Sequence, residues 1–352
     1  MKHMSRSHLS KRTAVLCLFT AAALGALARP CPAADPVLAG VPPFELRSSF
    51  WVNLHHFLYQ QALPAASGAG PAPERAGGDQ ALGPEERKAW SESLEFYRAS
   101  ITPHDLSERE MRHTEYLLAD VADAAQPSRS TLEPKLAAAL ERAAPAYRAH
   151  WWAAHDRANR FWISVVTPMV QQLGGRIMGQ IAAAYGTSWP PTPILVDVAV
   201  YANWAGAYTT LGDPMHTIIS STDPTYQAFA AFEMLFHEAS HTLVDGRNGR
   251  IPRTIERECL AQKKAIPRDL THAIIFYTAG ELARRDLADA GVAGYVPYAE
   301  RNGLWGRSWP RYKASLERFW LPYLDGKSEL DGAIAQLVGT LPDAAPATPK
   351  IP

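Results

Sequence analysis

The chain has 352 residues, 47% of them hydrophobic, and its 35 basic residues balance 35 acidic ones. That length supports a sizeable core in one domain or two lobes. A zero net charge excludes the basic field of a nucleic-acid binder and the acidic tail of a solvating segment.

The N-terminus reads as an export signal, residues 1–34. Lys2, Arg6, Lys11 and Arg12 form a basic start, and residues 13–28 ("TAVLCLFTAAALGALA") an apolar run. Ala26-Leu27-Ala28 and Ala33-Ala34 are the two small-residue cleavage candidates. The run is marginal for a membrane anchor. No later stretch is long and apolar enough to span a bilayer, so the expectation is a periplasmic or secreted protein with no integral span after signal removal. With the signal cleaved, Cys259 stands without a disulfide framework, so the core, with or without a metal, must hold the fold.

Residues 35–83 are expected to hold an extended lead-in, a helix over 48–63 capped by Ser48 or Ser49, and a Pro/Ala/Gly-rich loop over 64–83. Residues 84–190 read as a helical lobe. Pro84, Glu85 and Glu86 open its first helix, and "SERE" at 107–110 has the form of a capping box. Two further helices are expected at about 131–158 and 159–185. The period then changes. Residues 192–210 and 215–221 are rich in β-branched and aromatic residues, are broken by Gly and Pro, and read as strands. Helical periodicity returns after Asp223-Pro224 and stops at Gly246. Another helix is expected over about 268–290 and a last one over about 309–323. The tail, 341–352, reads as disordered. The fold class is therefore mainly α (α+β): a helical N-terminal lobe, then, within 191–340, a small antiparallel or mixed sheet beside a metal-binding helix, with a helical C-terminal part.

That helix carries His237-Glu238-Ala239-Ser240-His241. Residues four apart lie one helical turn apart on one face, so His237 and His241 can share an ion, while Glu238 can reach a water bound to it. Zinc needs three protein ligands and an open position for that chemistry. Two histidines and a glutamate on an otherwise apolar helix would be costly to bury without a purpose.

With Asp245 four residues beyond His241, "HEASHTLVD" resembles the zincin metallopeptidases, and among them the thermolysin-like gluzincins. Val244 stands where the metzincin extension requires glycine. The resemblance covers the active helix and the strands before it, about a quarter of the chain. It implies a third zinc ligand from a glutamate on a following helix. Glu256 and Glu258 lie in a polar stretch and read as surface residues. Glu281 ends a mostly apolar helix in which Gly280 permits close packing, and it is the expected ligand. The acid that the family places four residues later is replaced by Arg285, so Glu281 alternatively forms a surface i,i+4 pair. His272 is the rival ligand, or else a core histidine. Nine residues separate it from Glu281, so the two point to opposite sides of one helix and cannot serve the same ion.

The resemblance also implies that substrate adds as a strand along a sheet edge. The segment 201–210 is the candidate edge, with Asn203, Ala205 and Gly206 expected to leave backbone groups open; an ordinary core strand is the alternative. Tyr277, Tyr298 and His272 are candidate donors to the oxyanion. His55-His56 reads as structural rather than as a second metal pair, because adjacent helical side chains diverge. The expected function is that of an exported zinc metallopeptidase acting on a peptide or protein, with one zinc on His237, His241 and Glu281 and with Glu238 as base. The alternative is a non-catalytic, zinc-stabilised binding protein of the envelope, although a purely structural site needs no base and would fill all four positions.

Overall fold

A computed structural model of the chain describes residues 37–64, 82–210, 215–244 and 249–344. The expected signal, most of the Pro/Ala/Gly-rich loop, Asp245 and Gly246 lie outside the described residues, as does the tail from residue 345.

The protein is mainly α, with one mixed five-stranded sheet. The strands are β1 (Ala39–Val41), β2 (Phe44–Arg47), β3 (Ile194–Ala199), β4 (Ala207–Thr210) and β5 (His216–Ser220), in the order β1-β2-β3-β5-β4. β2, β3 and β5 run parallel, and an antiparallel strand closes each end. The lead-in expected to be merely extended thus supplies two strands. Pairing of Phe44 to Arg47 with Ile194 to Asp197 satisfies backbone groups that a loose segment would have to bury unpaired.

Alternation along each strand sends successive side chains to opposite faces. Phe44, Leu46, Val196, Val198, Ala207 and Ile219 enter one hydrophobic core. Ala199, Tyr208 and Ile218 enter the other. The first core packs against α5 (Ala153–Tyr185), α6 (Phe229–Val244) and α8 (Leu270–Asp289). The second packs against α1 (Phe50–Ala62), α2 (Pro84–Ser100) and α4 (Pro134–Tyr147), the helical lobe. The sheet is therefore the wall between two cores.

Several boundaries shift from those expected. The helix expected over about 131–158 ends at Tyr147, a π-helical turn spans Arg148–Trp152, and one unbroken helix then runs through Ala153–Tyr185 despite Pro168. The expected Ser107 cap gives way to Glu108 at the N-cap of α3 (Arg109–Ala119), while Ser107 donates to Asp105 instead. α6 starts at Phe229 because residues 223–228 form turns, with Ala228 at positive φ. α7 (Arg250–Ala261) leads to α8, and α9 (Leu330–Gly339) is an element the sequence reading did not foresee. Leu330, Ile334, Leu337 and Val338 bury its apolar face. Residues 341–344, expected to be disordered, are held by Ala265 N–H donating to Pro342 and by the Lys264–Asp343 pair. Among the described residues no helix is long and apolar enough to cross a membrane.

Candidate metal centre

α6 is buried almost all round, so its polar residues must find partners within the protein. His237 and His241 sit one turn apart, as their spacing requires, with ring centroids 5.2 Å apart. α8 crosses beside α6 and brings in His272 from its first turn. The His272 ring lies 5.3 Å from His237 and 5.1 Å from His241, an almost equilateral triangle. One nitrogen from each ring falls within 4.8 Å of the others, and the Nε2 atoms of His272 and His237 are 3.3 Å apart. Tetrahedral bonds of about 2.0–2.1 Å place two nitrogens on one zinc about 3.3 Å apart, so the donor set fits that ion. Burial first, and then the nearby His241 and His272, hold the His237 imidazole far below its usual pKa. The neutral ring is the form that binds metal.

Glu281 does not join this triangle. Its carboxylate accepts from Arg284 Nη2 at 2.6 Å and from Arg285 Nε at 2.7 Å. The nine-residue separation puts it on the side of α8 away from His272, and the Arg285 that replaces the family's acid captures it. Glu281, the expected third ligand, thus lies apart from His237 and His241, and its rival His272 is the residue that the fold brings to them. Gly280 does permit a close approach, as expected: a Cβ there would lie 2.8 Å from Pro297 Cβ and 3.1 Å from Glu233 Oε1.

Glu238 is 4% exposed, and Thr209 Oγ1 donates to its Oε2 at 2.7 Å. Thr209 belongs to β4, the outermost strand beside α6. The same hydroxyl lies 3.0 Å from Thr217 Oγ1 on β5. Thr209 carried no signal of its own in the sequence; only alternation within 207–210 could have placed it on the α6 face.

The expected substrate residues Asn203, Ala205 and Gly206 form a tight turn before β4 and are not strand residues. Asn203 Oδ1 accepts from Ala205 N–H at 2.9 Å, Gly206 N–H donates to Asn203 O, and Ser220 N–H donates to Gly206 O. Tyr226 O–H donates to Ala205 O at 2.6 Å. Gly206 has φ +85, and a Cβ there would lie 2.5 Å from the Tyr226 ring. Backbone groups expected to be open are thus used within the turn, and β4 itself is the sheet edge.

Tyr277 also lies off the centre. Its ring faces Trp305 at 6.1 Å, and after burial the largest influence raising its pKa is Glu281, on the opposite side of α8 from His272. Tyr298 is better placed. Its ring stacks on Phe276, whose own ring lies 3.7 Å from His237. Tyr298 also sits 5.2 Å from Tyr226, whose pKa is raised by burial, then by Tyr298 and Glu238. Glu233, one turn before His237, anchors this segment: it accepts from Tyr295 O–H at 2.6 Å and from the Tyr298 N–H. Burial pushes the Glu233 pKa up to about 7. Neither Glu233 nor Trp309, whose ring lies 5.4 Å from His272, stood out in the sequence.

His55 and His56 point into the helical lobe, not toward α6. His56 Nδ1 donates to Val52 O, His56 Nε2 meets Tyr208 Oη at 2.9 Å, and His55 Nδ1 meets Tyr97 Oη at 2.7 Å. Glu115 lies between them. No family model, curated protein or solved structure matches this chain.

Proposed function

We propose that the protein is a zinc-dependent peptidase whose ion is held by His237, His241 and His272. The observation that carries this reading is the triangle of three imidazoles with the adjacent Glu238 carboxylate held by Thr209. Zinc bound there would supply a Lewis acid and a water acidified towards a pKa of about 7. Three histidines also match that metal's preference for neutral nitrogen donors.

Glu238 accepts the proton of the attacking water and returns it to the leaving nitrogen. Thr209 donates to one carboxylate oxygen and so orients the base. Tyr298 is the donor to the developing oxyanion, with Tyr226 behind it. The peptide lies along β4, Ala207–Thr210, as an added strand. A carboxylate held in readiness beside the imidazoles favours this reading over a zinc-stabilised binding protein, which needs no base.

The test is Glu238→Gln. The variant is expected to keep one zinc per chain and to lose about 10²–10⁴ in kcat on any peptide that the wild type cleaves. Undiminished turnover would remove Glu238 from the reaction. Wild-type protein that carries zinc yet cleaves nothing in a broad peptide library would favour the binding protein.

A further inference from the structure

Trp309 belongs to two places at once. Its ring packs on His272 and on Phe276, and it also lines a cavity of about 520 Å3. The other walls include Arg268 and Asp269, just before the first turn of α8, and Arg307, Arg311 and Tyr312 from the segment around Trp309. The cavity therefore shares the Trp309 ring with His272.

Its charge is one-sided. Three guanidinium groups face a single carboxylate, that of Asp269, among the lining residues. None of the three forms an ion pair within the described residues. Arg257, Arg284 and Arg285 are paired, with Asp331, with Glu281, and with Glu281 and Asp325, whereas Arg253 and Arg301 donate to backbone carbonyls. Unpaired guanidinium forks in a concave site suit a planar, bidentate anion. Trp309 and Tyr312 add apolar wall for the stem that would carry it.

We propose that this cavity is a subsite for a carboxylate of the substrate, so that the enzyme selects acidic peptides. The proposal rests on the peptidase reading above and names its substrate class. An acidic side chain and a free C-terminus offer the same chemistry there.

The experiment uses zinc-loaded Glu238→Gln protein, which binds without turnover. The probe is a fluorescein-labelled decapeptide with glutamates in its C-terminal half, compared by fluorescence anisotropy with its glutamine counterpart. The glutamate peptide is expected to bind at least about tenfold tighter at low salt and to lose that advantage at high salt. Adding Arg307→Gln and Arg311→Gln is expected to weaken it by roughly tenfold, with zinc content and glutamine-peptide binding unchanged. Amidated versions of both peptides assign the source: a preference that survives amidation belongs to the side chains, and one that vanishes belongs to the C-terminal carboxylate.

Equal affinity for the two peptides, no measurable binding of either, or indifference to the arginine changes overturns the proposal. An arginine-dependent preference in a protein whose wild type cleaves neither peptide would uphold the subsite and sink the peptidase reading. Equal cleavage of both peptides, with arginine-indifferent binding, would do the reverse.

Discussion

Two groups of histidines lie on opposite faces of the same sheet, and their nitrogens are used differently. On the lobe face, His55, His56 and His216 meet oxygen. His55 and His56 reach tyrosine hydroxyls, the Val52 carbonyl and Glu115, and His216 Nε2 meets Asp197 at 2.7 Å beside Arg47. On the α6 face, His237, His241 and His272 turn nitrogens toward one another. His55, His56 and His216 are fully buried, whereas of the second group only His237 is and His241 and His272 are partly open. They also differ in convergence: the lobe imidazoles reach hydroxyl, carbonyl and carboxylate oxygens, whereas the three rings beside α6 bring one nitrogen each within 4.8 Å of the others, a spacing that suits a cation.

The widest separation should come from removing the ligands. His272→Ala is expected to emerge nearly metal-free, with zinc affinity down by more than about a hundredfold, since loss of even a supporting hydrogen bond behind a ligand costs 10–100-fold. His55→Ala, His56→Ala and Glu281→Ala are expected to keep one zinc per chain. Elemental mass spectrometry on the four purified variants decides it. Zinc lost from Glu281→Ala and retained in His272→Ala would restore the glutamate as ligand.

Stability should divide the two groups the other way. Glu115 is fully buried between His55 and His56, which draw its pKa below the usual range against the opposing pull of burial. Glu115→Ala removes the buried carboxylate that faces the His55 and His56 nitrogens and is expected to cost roughly 1–3 kcal/mol in urea unfolding. Zinc stoichiometry in whatever remains folded should not change. A variant as stable as the wild type would mean that the lobe cluster is not what holds the helices to the sheet.

How much of this contrast could be read from the sequence depends on range. The His237–Glu238–His241 spacing is local, and a helix carries it directly into geometry. The β-branched and aromatic content of 192–210 and 215–221 likewise announced strands. The opposition of His272 and Glu281 was legible too, since nine residues of helix turn two side chains apart. Which of them faces α6 was not legible, because that depends on how α8 is rotated about its axis. Leu270, Ala273, Ile274 and Ile275 set that rotation by packing into the core, together with the contact of Gly280 against Glu233 and Pro297. β1 and β2 were missed for a similar reason: the strand that ties this hairpin into the sheet, β3, pairs with β2 from about 150 residues away, and short segments carry little periodicity of their own.

Glu233 offers a pH-dependent test on the α6 face. Its pKa rises from 4.5 in the reference state to about 7 in the fold. Between these values the native protein keeps a proton that the unfolded chain has lost, so the stability this group contributes is full below the window and falls as pH rises through it. The total is roughly 3 kcal/mol. Glu233→Gln cannot ionise, so its deficit relative to wild type should shrink by up to about that amount between pH 4.5 and pH 8. Urea melts at the two pH values measure it, and a deficit independent of pH would place the Glu233 pKa near its ordinary value.

The smallest effects should be the sharpest, because they come from adjacent residues of one strand. Tyr208 and Thr209 are neighbours on β4, and alternation points them at different histidine groups. Tyr208 Oη meets His56 in the lobe, and Thr209 Oγ1 donates to Glu238. Tyr208→Phe removes one buried hydrogen bond and is expected to cost about 1–3 kcal/mol of stability, with kcat changed little. Thr209→Val keeps the shape and β propensity of the residue but leaves the base without its donor. It is expected to keep zinc, to melt close to wild type and to lower kcat roughly tenfold, with KM less affected, since a hydrogen bond to a charged group is worth about 1.5–3 kcal/mol and part of it is replaced by water. Thr209→Ser, which restores the hydroxyl, should recover most of the rate. If Thr209→Val turns over like wild type while Tyr208→Phe does not, the sheet does not divide structure from chemistry in the way its two faces indicate.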